Sequence, residues 1–350
     1  MQKEKIGIIG HFGGKEKMFD GQTIKTKNAK NIIEKYGDFE TFCVDTYLVK
    51  KHKIRLLLDT FKCLFKCKKI VILLSTNGLN FYLPFLYYVN KLFKRKIYHD
   101  IIGSELIEMV ESNPKLVKYL NKLEVNWFEF SSGVEFFKEK GIKNVELLPN
   151  CKELVPIEIS QVSDYDSSDK VYRFCTFSRI IKEKGITDAI LAIADFNKKN
   201  SACVATLDVY GKVDDSYKEE FEKLLKDCNK FIFYRGAIES EKSVDTLKNY
   251  YVLLFPTYWR GEGFPGTILD AYASALPVIA SDWRANKEII KHKETGYVYP
   301  CLEFNDLQQA IEFAIFNEMA INKMRKSCRL EYENYTPEKI GRTICDTLKK

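Results

Sequence analysis

Apolar positions along this chain gather in short runs separated by longer stretches of helical period. The first half carries Lys5–Gly10, Thr41–Asp45, Ile70–Ser75, Lys96–Asp100, Trp127–Ser131 and Val145–Pro149. The second half carries Tyr172–Phe177, Thr206–Gly211, Phe231–Arg235, Val252–Pro256 and Pro277–Ser281. Strands of a parallel sheet are buried on both faces and read as near-continuous apolar runs, with helices as the crossovers between them. The pattern therefore predicts α/β architecture in two doubly wound halves, with ligands at the carboxyl ends of the strands. Between the halves, Pro156–Asp169 (PIEISQVSDYDSSD) is polar and acidic with no hydrophobic period and reads as a linker. The expected division is a first domain over 1–155, a linker over 156–170, a second domain over 171–330 and a C-terminal stretch over 331–350. From Asn305 onward the pattern is helical, and no short internal repeat is visible.

A chain of 350 residues has room for two cores, and 45% hydrophobic with 29% charged residues is ordinary globular composition. The longest apolar stretches, Ile70–Ser75 and Phe81–Val89, fall short of the roughly 18 residues a membrane-spanning helix needs, and the second holds Pro84. MQKEKIGIIG runs directly into a strand without a signal-peptide pattern, so a cytoplasmic chain is expected. Ten cysteines without a CxxC pair point to reduced thiols rather than zinc or a redox motif. Cys63 and Cys67 have no histidine or second pair beside them. His11, His52, His99 and His292 are too scattered to suggest a metal centre. The net charge of +7 is uneven: Lys50–Lys69 holds eight Lys/Arg against one Asp, interleaved with Ile54, Leu57, Leu58, Phe61, Leu64 and Phe65. A second basic cluster spans Lys91–Lys96. Such a helix either packs its apolar face on its own sheet or lies on anionic lipid, and opposite faces can do both. Beyond the charge, nothing resembles a nucleic-acid recognition module.

Chemistry concentrates in Glu262-Gly-Phe-Pro-Gly-Thr-Ile-Leu-Asp270. Two carboxylates eight positions apart bracket a Gly-Pro-Gly loop that opens a helix. Gly263 and Gly266 let backbone approach a ligand closely. Gly266 and Thr267 fall in the first helical turn, where N–H groups without intrahelical partners and the helix dipole favour a phosphate. One acid reaches toward each end of an elongated ligand: a phosphate flanked by hydroxyl-rich groups, as in a sugar nucleotide. Earlier, Phe177-Ser-Arg-Ile-Ile-Lys-Glu-Lys-Gly185 sets Arg179 and Lys184 between a strand end and a helix start. Cations there oppose the usual preference for acids, which suggests a diphosphate to be neutralised.

FPTYWRGEGFPGTILDAYASALPVIASD resembles the E-x7-E region of glycosyltransferase family 4, retaining enzymes of the GT-B fold, in the bacterial capsule, O-antigen and exopolysaccharide subgroup. Asp270 stands where that family usually has Glu. Phe177–Gly185 is similar to its GRL…EKG motif. The resemblance implies two Rossmann-like domains facing a central cleft, the first binding acceptor and the second the nucleotide sugar, with the last helix crossing back to the first. It implies that Arg179 and Lys184 hold the diphosphate and that Glu262 contacts the donor sugar near its anomeric centre. Asp270 would bind the ribose. Main chain at Gly263, Phe264, Gly266 and Thr267 would meet sugar and phosphate, and Gly236–Ile238 the base. His99 would line the reaction site, and Gly13 and Gly14, in the loop His11–Lys15, would lie near the phosphates. Asn150-Cys151 departs from the family's Asn-Gly.

The implied reaction moves a sugar from a nucleoside-diphosphate sugar to a glycan or lipid-linked acceptor, with retention. It needs no metal or other cofactor, and the only DxD, Asp164-Tyr-Asp166, lies in the linker. The setting would be the cytoplasm, with peripheral contact at the inner face of the plasma membrane through 50–69 and 91–96. Competing readings are a GT-B nucleotide-sugar epimerase, whose usual His/Glu acid–base residues are not evident, and an inactive scaffold in a polysaccharide assembly complex.

Overall fold

The computed structural model describes residues 3–14, 21–47, 52–201, 204–228 and 230–350. It divides into two compact units, Met1–Cys151 with Thr336–Lys350, and Lys152–Tyr335. Lys15 and residues 50 and 51, part of the basic cluster, lie outside the described residues.

In the first unit, β1 (Lys5–Gly10), β2 (Glu40–Asp45), β3 (Lys69–Leu73), β4 (Lys96–Asp100), β5 (Val125–Phe128) and β6 (Val145–Leu147) form a parallel sheet in the order β2-β1-β3-β4-β5-β6. The second unit holds β7 (Val171–Phe177), β8 (Val204–Tyr210), β9 (Ile232–Gly236), β10 (Val252–Phe255), β11 (Val278–Ser281) and β12 (Gly296–Tyr299). Its order is β12-β11-β10-β7-β8-β9, again parallel. Helices connect successive strands in both units, the doubly wound α/β arrangement that the run-and-helix pattern implies.

Two local departures have physical reasons. The apolar run Trp127–Ser131 is strand only as far as Phe128, and a helix begins at Ser131. Glu129 leaves the ladder to meet Lys25 Nζ at 2.7 Å, and Phe130 folds against Phe128 with ring centroids 4.6 Å apart. The twelfth strand, GYVY, is too short to stand out in sequence. It pairs so closely with β11 that a Cβ on Gly296 would lie 2.0 Å from the Val278 carbonyl oxygen.

The polar stretch 156–169 belongs to the second unit and is fastened to it at several points. Ile157 N–H donates to Ala273 O (3.0 Å), Arg325 Nε donates to Ser163 O (2.9 Å), and Tyr165 packs on Tyr251 at 4.9 Å. Two of these fastenings are made by backbone atoms and one by a ring, which leaves no periodicity for a sequence pattern to detect.

The final helix, Pro337–Lys349, starts with Thr336 Oγ1 accepting from Lys339 N–H and Pro337 in the first turn, where its missing N–H costs nothing. Ile340, Ile344 and Leu348, spaced on one face, enter the first unit's core beside Ile32 and Ile33. Leu348 is fully buried. Leu348→Ala is expected to destabilise the first unit by about 2–5 kcal/mol, measured by denaturant unfolding. A loss below about 1 kcal/mol would show that the helix contributes little to that core.

Candidate active site

Read from β9, the second sheet runs β9-β8-β7-β10-β11-β12, and its order reverses between β7 and β10. At such a reversal the crossovers depart to opposite faces, leaving a crevice at the strands' carboxyl ends. The loops leaving β7 and β10 are 178–185 and 256–265, and both sequence motifs lie on them.

Backbone contacts lock the two loops together. After β7 a short 3-10 turn, Lys182–Lys184, ends at Gly185 with φ 69°, and the helix Ile186–Lys199 follows. A Cβ at Gly185 would sit 2.2 Å from Pro256 O, so glycine is required both by its left-handed backbone and by the close approach. Tyr258 N–H donates to Glu183 O at 2.8 Å. This junction delivers Lys184 Nζ to Glu262 Oε2 at 2.5 Å, with both side chains buried.

Glu262 is held from other sides. Thr257 Oγ1 donates to its Oε2 at 3.0 Å, and its own N–H donates to Trp259 O at 3.0 Å. Trp259 O also accepts from Trp283 Nε1 (2.7 Å), which fixes the loop to the segment after β11. The Trp259 ring carries two cations, Lys184 Nζ 4.8 Å and the Arg179 guanidinium 4.9 Å from its centroid. Face contacts of this kind attract cations to the ring quadrupole. Arg179 remains exposed.

The helix Gly266–Ala273 begins after Pro265, and Thr267 Oγ1 donates to Phe177 O (2.8 Å), tying that first turn to the end of β7. A Cβ on Gly266 would meet nothing within 4 Å, so the space before the helix is open. Phe264 is buried against Tyr335 at 5.2 Å. Four turns of chemistry thus converge around the β7/β10 junction: Arg179, Lys184, Glu262 and the N-terminus that Gly266 and Thr267 open.

Asp270, one helical turn further on, is only 1% exposed. Lys152 Nζ bonds both its oxygens (2.7 and 2.6 Å), and Ser243 Oγ donates to Oδ1 at 2.6 Å. Burial pushes the Asp270 carboxyl upward, against the pull of Lys152 and Ser243. Sequence reading missed Lys152 and Ser243. Lys152 is 118 residues away in sequence and carries no motif signal. Thr257 and Trp259 do lie in the quoted motif stretch, but without a pattern that marks them.

The first unit carries the remaining expected residues. Asp45 at the end of β2 accepts from Phe12 N–H (2.9 Å) and Gly14 N–H (2.8 Å), bracing a loop in which Gly13 and Gly14 have φ 82° and 61°. His99, on β4, is wholly buried. Asn126 Nδ2 donates to Leu120 O, which turns its Oδ1 toward His99 Nδ1 at 3.2 Å. Nδ1 therefore bears the proton, leaving Nε2 a bare acceptor with no protein partner among the described residues. Burial, reinforced by nearby Lys25 and opposed by the Asn126 bond, brings the His99 pKa down to about 4. It is a neutral imidazole at pH 7. Lys25 itself is held protonated against its burial by Asp100 (2.8 Å) and Glu129 (2.7 Å).

A cavity of about 590 Å³ elsewhere on the second unit is lined by Asp208, Tyr210 and Tyr250 among others, and by none of the motif residues. Its Asp208 already accepts from Tyr250 OH (2.6 Å) and Arg235 Nε (2.8 Å).

The class this architecture defines is the GT-B fold. The solved structure of Anabaena Alr3699/HepE in complex with UDP superposes with a TM-score of 0.73 at 14% identity, covering 99% of each chain. Residues 160–331 match the family model described as Glycosyl transferases group 1. Among curated proteins, the amylovoran biosynthesis glycosyltransferase AmsK of Erwinia amylovora is 24% identical over 39% of this chain and 34% of its own length. The UDP-Gal:alpha-D-GlcNAc-diphosphoundecaprenol alpha-1,3-galactosyltransferase of Escherichia coli is 31% identical over 25% of this chain. The matches span about a third and about a fifth of those relatives' lengths (34% and 22%).

Two predictions test the electrostatics. Lys152→Ala leaves the Asp270 carboxylate buried without its cation and should cost about 3–5 kcal/mol at pH 7. The Asp270 pKa already lies above its unfolded value, so protonation favours the folded state; the deficit should shrink as pH falls. A deficit that is constant with pH would show the carboxylate is not the cause. His99 has the opposite sign. Its folded pKa of about 4 lies below the ordinary imidazole value of 6.5, so its contribution is intact above 6.5 and is lost as pH falls toward 4. Relative to wild type, His99→Asn should gain roughly 3 kcal/mol between pH 7 and pH 4 in urea-unfolding stability. An unchanged difference across that range would contradict the buried neutral imidazole.

Proposed function

We propose that this protein is a retaining, metal-independent glycosyltransferase that moves a sugar from a nucleoside-diphosphate sugar to a lipid-linked or cell-surface glycan acceptor in bacterial polysaccharide synthesis. In this reading it works at the cytoplasmic face of the plasma membrane. The observation that carries it is the cluster at the β7/β10 reversal, where Arg179 and Lys184 stand over Trp259 beside Glu262 and a helix N-terminus opens on free space. The group 1 family match over 160–331 and the polysaccharide-related names of the curated relatives support the same reading.

In the proposed reaction the diphosphate sits before Gly266, with Arg179 and Lys184 on its oxygens. As the sugar–phosphate bond breaks, charge grows on the leaving oxygen, and preorganised donors bind that charge more strongly than the ground state. The acceptor hydroxyl attacks the anomeric carbon from the same face, and its proton passes to the departing phosphate oxygen. Glu262, released from Lys184 when phosphate takes that lysine, is free to accept from donor-sugar hydroxyls. Asp270 accepts three hydrogen bonds from protein, and a carboxylate has about four acceptor positions. One is left for a ribose hydroxyl, consistent with a shorter acid held in place by Lys152.

Melting curves with UDP, GDP, ADP, CDP and dTDP, in chelator, test the donor site. One nucleotide at a hundred times its dissociation constant should stabilise by about 2.7 kcal/mol and name the base. No shift with any of the five would contradict the donor site. With donor and acceptor identified, Glu262→Gln should lower transfer at least about a hundredfold while the fold is kept. Full transfer by that variant would overturn the role given to Glu262.

A further inference from the structure

The helix Lys53–Lys66 has two apolar faces. Leu56, Thr60, Cys63 and Leu64 are buried over β1 and β2. On the other side Ile54, Leu58, Phe61 and Phe65 recur at i, i+4, i+7 and i+11, a second stripe on one face. Ile54 is 76% and Phe65 71% exposed. The helix Thr76–Phe93 repeats the design. Leu79, Tyr82, Leu83 and Leu86 are buried, while Phe81, Phe85, Tyr88 and Leu92 follow the same spacing outward, Leu92 at 85% exposed. The stripes join edge to edge, with Phe61 on Phe85 at 5.9 Å and Phe65 on Phe93 at 4.9 Å. One surface of the first unit thus carries a continuous aliphatic and aromatic band. Scattered apolar residues on a surface need no explanation, but a band of this extent does.

Charge selects the occupant. From 53 to 96 the sequence holds ten Lys/Arg and a single acid, Asp59. That acid is itself paired to Lys62 at 3.2 Å and Arg55 at 3.8 Å. Lys53, Lys62, Lys66, Lys91 and Lys94 are exposed around the band, with Lys91 Nζ 5.0 Å from the Tyr87 ring centroid. Among the described residues no helix is long and apolar enough to cross a membrane. An apolar stripe with aromatic residues and a cationic rim is the arrangement of a helix lying in the plane of a lipid surface.

We propose that this face docks on an anionic lipid bilayer. Ile54, Leu58, Phe65, Phe81, Tyr88 and Leu92 enter the boundary between headgroups and acyl chains, and the lysines meet lipid phosphates. For its biological setting this rests on the membrane-face reading above, but the binding is tested without donor or acceptor.

The test is co-sedimentation of the full chain with phosphatidylcholine vesicles, with and without phosphatidylglycerol. Partition should be at least about tenfold stronger on the anionic vesicles at low salt and should fall as salt rises. The Ile54→Ser/Leu58→Ser/Leu92→Ser variant should lose about tenfold or more on anionic vesicles. Lys62→Gln/Lys66→Gln/Lys94→Gln should lose the preference for anionic lipid. All six positions are exposed, so melting midpoints should match wild type. Absence of vesicle binding by wild type, or binding that the serine variant leaves unchanged, would overturn the proposal. So would a dimer in light scattering that the serine variant dissociates, which would make the band a surface for a second copy. Nucleotide-induced melting shifts, equal in wild type and variants, report on the donor site separately.

Discussion

The buried pair of Lys184 and Glu262 is the constraint on which the second unit's site depends. Two opposite charges at 2.5 Å inside a protein gain Coulomb energy but lose hydration, and breaking one side of such a pair is far costlier than never having it. It persists here because the backbone allows few other positions. Gly185 lies against Pro256, Tyr258 bonds Glu183, and Thr257 takes the second approach to the carboxylate. An ammonium has three donors, and Glu262 uses one of them. In the proposed function an arriving phosphate would find a lysine already positioned and only partly spent.

Asp270 repeats that logic one helical turn away, with Lys152 as its cation. Counted together, Arg179, Lys184 and Lys152 oppose Glu262 and Asp270, three positive charges against two negative. The helix N-terminus adds further positive potential. In the proposed function this surplus of positive charge would favour an anionic guest. Arg179, exposed and stacked on Trp259, is the part of that surplus that needs no rearrangement to reach a ligand. On the first unit the same economy appears in reverse. His99 is kept neutral by burial, against the opposing pull of its Asn126 bond, and that bond takes the Nδ1 proton so that Nε2 accepts rather than donates.

Much of this was legible in the sequence because strong local rules agreed. Apolar runs of β1, β4 and β10 stood out against helical patterns, and the Gly-Pro-Gly loop announced a helix start that the fold bears out at Gly266. What sequence could not supply were the long-range partners. Lys152, Ser243, Asp45 and Asn126 are ordinary polar residues whose importance comes from what they face, not from what surrounds them in sequence. The strand β12 was hidden by its brevity, and the strap at 156–169 by being fastened largely through backbone atoms. The basic amphipathic stretch after residue 50 left two uses for its apolar positions. The fold assigns Leu56, Cys63 and Leu64 to the core and leaves Ile54, Leu58 and Phe65 outside.

The most direct measurement of the central claim is the affinity, by titration calorimetry, of the nucleoside diphosphate that stabilises the protein best, compared between Glu262→Gln and Lys184→Met. If Glu262 holds Lys184 in readiness for phosphate, freeing the lysine in Glu262→Gln should leave affinity equal or tighter. Lys184→Met should then weaken it about tenfold or more, the scale of one charge-assisted hydrogen bond. Equal weakening in both variants, or no change in either, would contradict the account.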